Sequence, residues 1–141
     1  LYREAIAVLN LATPLGFRDA RFIATLGGMY FMDGSFTEAQ DIFAKHHART
    51  FSVQEIENPS FRPRDPKDTR KYLFLKGNVV SVKTGYSFIQ TEDYPNFFCP
   101  ASKYEGLILR KGMGIVFQPA FSAKGPVALH PRLPQTPPLD T

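Results

Sequence analysis

The apolar residues change period once along this 141-residue chain, and the change falls across a stretch (52–70) with three prolines. Before the stretch they recur at helical spacing; after it they alternate as in strands. Two periods on either side of a proline-rich join restrict the chain to a two-part α+β architecture. With 43% hydrophobic and 21% charged residues, composition is that of a globular chain able to bury a core.

Three helices are expected in the first half. Residues 2–12 are rich in helix formers and stop at Pro14 and Gly16; residues 18–34 carry Phe22, Ile23, Leu26 and Tyr30 on one stripe. Residues 35–48 open with Ser35 and Glu38 at capping-box spacing and present Phe36, Ala39, Ile42 and Phe43. Tyr2, Glu4, Ala5, Val8 and Leu9 recur as Phe36, Glu38, Ala39, Ile42 and Phe43, each 34 residues later. That period marks a helix-turn-helix array. Leu26-Gly27, Tyr30, Gly34, Phe36, Ala39 and Phe43 resemble the signature positions of a tetratricopeptide repeat, over about one and a half repeats at residues 1–50. The resemblance implies a protein-interaction scaffold, with Gly27 and Ala39 letting paired helices approach closely. Such arrays bury a core by stacking, so more repeats are expected upstream, and a chain beginning at Leu1 is expected to be the C-terminal fragment of a larger protein.

Residues 51–70 read as a linker, with Phe61 pinned against a neighbour, and the domain boundary is placed near residue 70. Beyond it, 72–82, 85–92, 96–101, 114–122 and 126–130 read as five short strands separated by turn residues, the pattern of a small closed antiparallel barrel at 71–130. Gly77 marks either a bulge or close packing. The tail 131–141, with four prolines, is expected to be extended; "RLPQTPP" could lie in an aromatic groove, although an unstructured end is favoured.

Charge separates the halves as well. Residues 1–50 hold five basic and five acidic side chains, 51–70 four of each, and 71–141 eight basic against four acidic, so the net +4 sits beyond residue 70. An anionic partner is expected there. In the same region Tyr86 and Phe88 share one strand face, opposite Ser87 and Ile89, while Phe97 and Cys99 share a face opposite Phe98. Taking Ile89 and Phe98 as core leaves Tyr86, Phe88 and Phe97 as an outward platform, with Ser87 turned inward. Exposed rings on adjacent strands call for a ligand.

Residues 74–130 resemble a cold-shock domain. "KGNVV" is similar to that family's opening strand, and "TGYSFI" to its first RNP-type motif, with Tyr86 and Phe88 at stacking positions. "NFFCPAS" is similar to the second motif, with Phe97 at the stacking Phe and Cys99 at the His. Lys124 to Ala128 match its Lys-Gly-Pro-x-Ala. The resemblance implies a five-stranded OB-type barrel that binds single-stranded RNA or DNA, RNA favoured. Bases would stack on Tyr86, Phe88 and Phe97 beside Cys99, with phosphates neutralised by Lys76, Lys83, Lys103 and Lys124. The family's first-strand aromatic is replaced by Ser81-Val82, and the aromatic after its His by Pro100, so weaker binding is expected. The alternative is a degenerate barrel used for protein docking.

No apolar run reaches the ~18 residues of a membrane span. The single cysteine suits a reducing compartment, and a cytoplasmic location is expected. A non-catalytic chain without cofactor or metal is expected too. Cys99 and His130 have no supporting spacing as a thiolate–imidazole pair, and adjacent His46 and His47 on one helix cannot both face one ion.

Overall fold

In the computed structural model, residues 2–11, 20–45, 59, 61–94, 96–122 and 125–134 are described. Among these residues three helices, α1 (Tyr2–Leu11), α2 (Ala20–Met32) and α3 (Phe36–Lys45), precede seven strands, giving an α+β chain. It divides into two units: residues 1–61 with 120–126, and residues 62–119 with 127–141.

In the first unit half of the expected stripe residues are buried: Ile23, Leu26, Ala39 and Phe43 are each less than 9% exposed, whereas Phe22, Tyr30, Phe36 and Ile42 are part-covered. Ile6 and Phe31, outside those stripes, are buried as well. Gly27 allows the approach of α2 and α3, since a Cβ there would stand 2.5 Å from Cζ of Phe43. Gly28 plays the same part against the rings of Phe61 and Phe121. Phe61 is pinned as the sequence suggests: its backbone N–H and C=O both bond to Phe121, and the two rings stack at 5.8 Å. The Ser35 hydroxyl, expected in a capping box with Glu38, donates instead to Oδ2 of Asp33 at 3.4 Å.

The second unit begins with a feature that the linker expectation missed. β1 (Arg64–Asp65) and β2 (Asp68–Tyr72) form an antiparallel hairpin, with Arg64 opposite Tyr72 and Asp65 opposite Asp68. Five further strands follow: β3 (Leu75–Lys83), β4 (Tyr86–Gln90), β5 (Phe97–Pro100), β6 (Gly114–Ser122) and β7 (Gly125–Arg132). They pair in the order β3-β4-β5-β7-β6, with β3 also bonded antiparallel to β6. β5 and β7 run parallel, so the sheet is mixed where the sequence reading expected antiparallel strands throughout. A parallel neighbour requires a crossover connection, and residues 101–124 with β6 supply it.

Val79, Ile89, Phe97, Ile115 and Phe117 make the inner layer of this sheet, each 1% exposed or less. Gly77 serves close packing: a Cβ would meet the Gln90 carbonyl oxygen at 2.7 Å and Cγ2 of Ile89 at 2.8 Å. The register shift lies just beyond it, between Val79 and Ser81, and turns Ser81 to the face of Phe88.

Candidate functional site

Cross-strand register decides which rings face out. Along β4 and β5, Ser87 stands opposite Cys99 and Ile89 opposite Phe97, while Phe88 stands opposite Phe98 and Tyr86 opposite Pro100. Directly paired residues share a face. Ser87, Ile89, Phe97 and Cys99 are all fully buried and form the inner face. Tyr86, Phe88 and Phe98 are half-buried and form the outer one.

Phe97 and Phe98 are therefore exchanged relative to the sequence expectation. Phe97 packs on Phe117 with ring centroids 5.0 Å apart and on Tyr94 at 5.5 Å. Cys99, expected beside the platform, lies in the same interior, where burial pushes its thiol up to about 12 against a smaller opposing pull from the Ser87 hydroxyl. A thiol held there carries no thiolate at neutral pH, which removes it from nucleophilic chemistry. Sequence held one signal for this exchange: cysteine and phenylalanine are among the residue types most often buried, and they sit two apart at 97 and 99.

The outer rings form one cluster. Tyr86 lies 5.5 Å from Phe98 with planes inclined by 36°. Phe88 stands edge-on to Tyr86 at 5.7 Å and 85°, and to Phe98 at 5.9 Å and 61°. Next on β3, Lys83 is opposite Tyr86, Ser81 opposite Phe88 and Asn78 opposite Gln90. Lys76, two residues before Asn78, continues that face. Both Lys76 and Lys83 are exposed, with no ion-pair partner among the described residues. Lys103 sits apart from these strands, half-buried in the 3₁₀ turn (Ala101–Lys103) after β5. Lys124 lies outside the described residues, as do His46, His47 and residues 135–141.

Neither a family model, nor a curated protein, nor a solved structure matches this chain. The candidate site stands on its geometry. An aromatic cluster with Lys83 across from Tyr86, and Lys76 farther along the same strand face, can offer flat apolar surface and positive charge to one ligand. Among the described residues no group of three or more His, Cys, Asp or Glu side chains could hold a metal ion, and no helix is long and apolar enough to cross a membrane.

Two parts of this surface escaped the sequence reading. Phe98 is one, because alternation gives relative faces and not absolute ones. Arg62 and Arg64 fall in the expected linker and Tyr72 opens the expected first strand, yet both guanidinium groups lie over the Tyr72 ring, with Cζ at 3.8 and 4.1 Å from its centroid.

Proposed function

We propose that residues 75–132 form a cold-shock-like OB-type barrel that binds single-stranded nucleic acid, RNA favoured, without catalysing a reaction. The observation carrying this reading is the cluster of Tyr86, Phe88 and Phe98 on one outer face with Lys83 across from Tyr86. Three half-exposed rings in contact provide stacking surface that every base can use, and the flanking lysines suit a phosphate backbone. Strand order supports the barrel: the first strand of the sheet pairs with both its second and its fourth, as a Greek-key barrel needs. With Phe98 and not Phe97 outward, the likeness to the second cold-shock motif moves by one residue, which puts Pro100 where the His would stand.

The ring angles favour single strands. Bases stacked on Tyr86 and on Phe88 would lie in planes about as far apart as the rings, 85°. A duplex keeps successive bases nearly parallel, whereas a single strand can splay them. Helices α1 to α3 are read as the scaffold for a protein partner; Val8, 66% exposed on α1, is an apolar contact available to it. A cytoplasmic location fits the single reduced cysteine.

The test is binding of labelled single-stranded RNA and DNA by the intact chain, followed by fluorescence anisotropy. Phe98→Ala and the Tyr86→Ala, Phe88→Ala double change are each expected to weaken binding by about 1–3 kcal/mol per lost stacking contact, with the fold kept. Unchanged affinity in the double variant would leave a barrel that docks protein as the better account. Ser81, where a stacking aromatic would add surface, favours that second reading.

A further inference from the structure

We propose that the nucleic-acid track does not end at the three rings but crosses β3 and β6 to the hairpin, where Arg62 and Arg64, braced on Tyr72, bind the phosphodiester backbone. This rests on the single-strand reading above and extends it to a second contact region.

The outer-face register gives the path. Phe98 pairs with Phe88 on β4, and Gln90, two residues on, pairs with Asn78 on β3. Asn78 pairs in turn with Gly114 on β6, and Lys76 with Val116. Gln118, two residues beyond Val116, accepts a hydrogen bond from Nη2 of Arg62. Along this path Phe98 on β5 is three strand spacings of about 4.8 Å from β6, on the order of 14 Å, and the rings of β4 are two.

What lies on that path suits a strand passing over it. Because Gly114 has no side chain, a depression of about 240 Å³ opens between β3 and β6, lined by Lys76, Gly77, Asn78, Gly114, Ile115 and Pro134. It has room for one base, with the Asn78 amide at hand for a base edge and Lys76 for its phosphate. At the far end the charges are unbalanced. The segment 62–72 carries Arg62, Arg64, Lys67, Arg70 and Lys71 against Asp65 and Asp68, a net +3.

The two acids are engaged within the hairpin itself. Asp68 holds Arg70 at 3.1 Å, which keeps its carboxyl below the ordinary range, and Asp65 accepts the backbone N–H of Lys67. Arg62 and Arg64 therefore face one ring with no carboxylate partner among the described residues, and Nε of Arg62 is buried without an acceptor. Two like charges flank the Tyr72 ring, with Cζ at 3.8 and 4.1 Å from its centroid, and a phosphate bound at either guanidinium offsets their mutual repulsion. Stacking on Tyr72 fixes both guanidinium planes in advance, so little side-chain entropy is lost when a phosphate arrives. Arg132, exposed, lies over Phe74 at 4.1 Å and adds a third cation just before β3.

Strand length separates the two contact regions. Oligonucleotides of about 4 and about 10 residues, within the 4–16 nucleotides that one such fold takes, are titrated against the intact chain at several salt concentrations. The wild type is expected to bind the longer strand more tightly. The Arg62→Gln, Arg64→Gln double change is expected to leave the shorter strand unaffected, weaken the longer about 10-fold or more, and lower its log–log salt slope by about 1.4, or 0.7 per lost phosphate contact. Arg64→Gln alone, at an exposed position, should give about half that slope change and guards against misfolding of the double variant. Equal affinity for the two lengths, or a longer strand indifferent to both variants, overturns the extended track and leaves the Arg–Tyr–Arg stack as a brace for the hairpin. Absence of wild-type binding at either length instead removes the single-strand reading itself.

Discussion

Inward from the β4–β5 pair point Ser87, Ile89, Phe97 and Cys99; outward point Tyr86, Phe88 and Phe98, with Lys83 opposite Tyr86. Each face carries phenylalanine, Phe97 beside Ser87, Ile89 and Cys99 on one and Phe88 and Phe98 beside Tyr86 on the other, so side-chain type by itself does not rank them. Enclosure separates them. Phe97 is 0% exposed and closed on by Phe117 and Tyr94, whereas the outer three rings lie against one another and stay half-exposed. Equal side chains thus serve stability on one side and remain available to a ligand on the other, and substitutions should divide along that line.

The largest expected effect is on the inner face. Phe97→Ala removes a fully enclosed ring and leaves a cavity, which costs about 3–5 kcal/mol. Phe98→Ala removes edge contacts worth about 0.5–1.5 kcal/mol each from a ring already half in water. Urea unfolding of the two variants measures this directly, and equal losses would erase the distinction between the faces.

Cys99 sharpens the same comparison through pH. Its thiol is raised from 9.0 to about 12 by burial, so the native state keeps a proton that the unfolded chain releases near 9. The sign follows: this contribution is fully present below about pH 9 and is lost as pH climbs toward 12. At 1.36 kcal/mol per pKa unit it amounts to a few kcal/mol at most. The unfolding free energy of the wild type minus that of Cys99→Val should be constant up to about pH 8 and fall steadily above about pH 9. A difference that stays flat to about pH 11 would mean the thiol is not enclosed.

What the sequence disclosed follows from how each element is held. The helices and the five sheet strands were legible because each buries one face and is bounded by glycine, proline or an Asp-Gly pair. At Gly77 the sequence left a bulge and close packing both open, and the Gln90 carbonyl 2.7 Å from a Cβ there decides for packing. The β1–β2 hairpin was not legible, because "DTRKY" lies at the surface with only Asp68 and Tyr72 half-covered, and a strand without a buried face has no period. It is held by backbone pairing and by cations on Tyr72. The exchange of Phe97 and Phe98 has another origin. Alternation states that they oppose each other; only the β4–β5 register, set across a connection in which Thr91 and Tyr94 bond to each other, states which is inside. The parallel β5–β7 pair leaves no trace in either strand taken alone.

The smallest expected effect lies where the outer face meets solvent. Lys83 is exposed, stands opposite Tyr86 and has no ion-pair partner among the described residues. Lys83→Gln should therefore leave stability within about 0.5 kcal/mol. On binding it should act unlike any ring variant. The log–log salt slope should fall by about 0.7, with a similar few-fold loss for every sequence tested, because a phosphate contact carries no base information. Ring variants should do the opposite, lowering affinity at all salt concentrations while leaving the slope in place. Titrations of Lys83→Gln and Phe98→Ala at about 50 and 200 mM salt resolve the two patterns. If both variants change the slope alike, charge and stacking are not separable on this face, and the assignment of its rings to bases and its lysines to phosphates is lost.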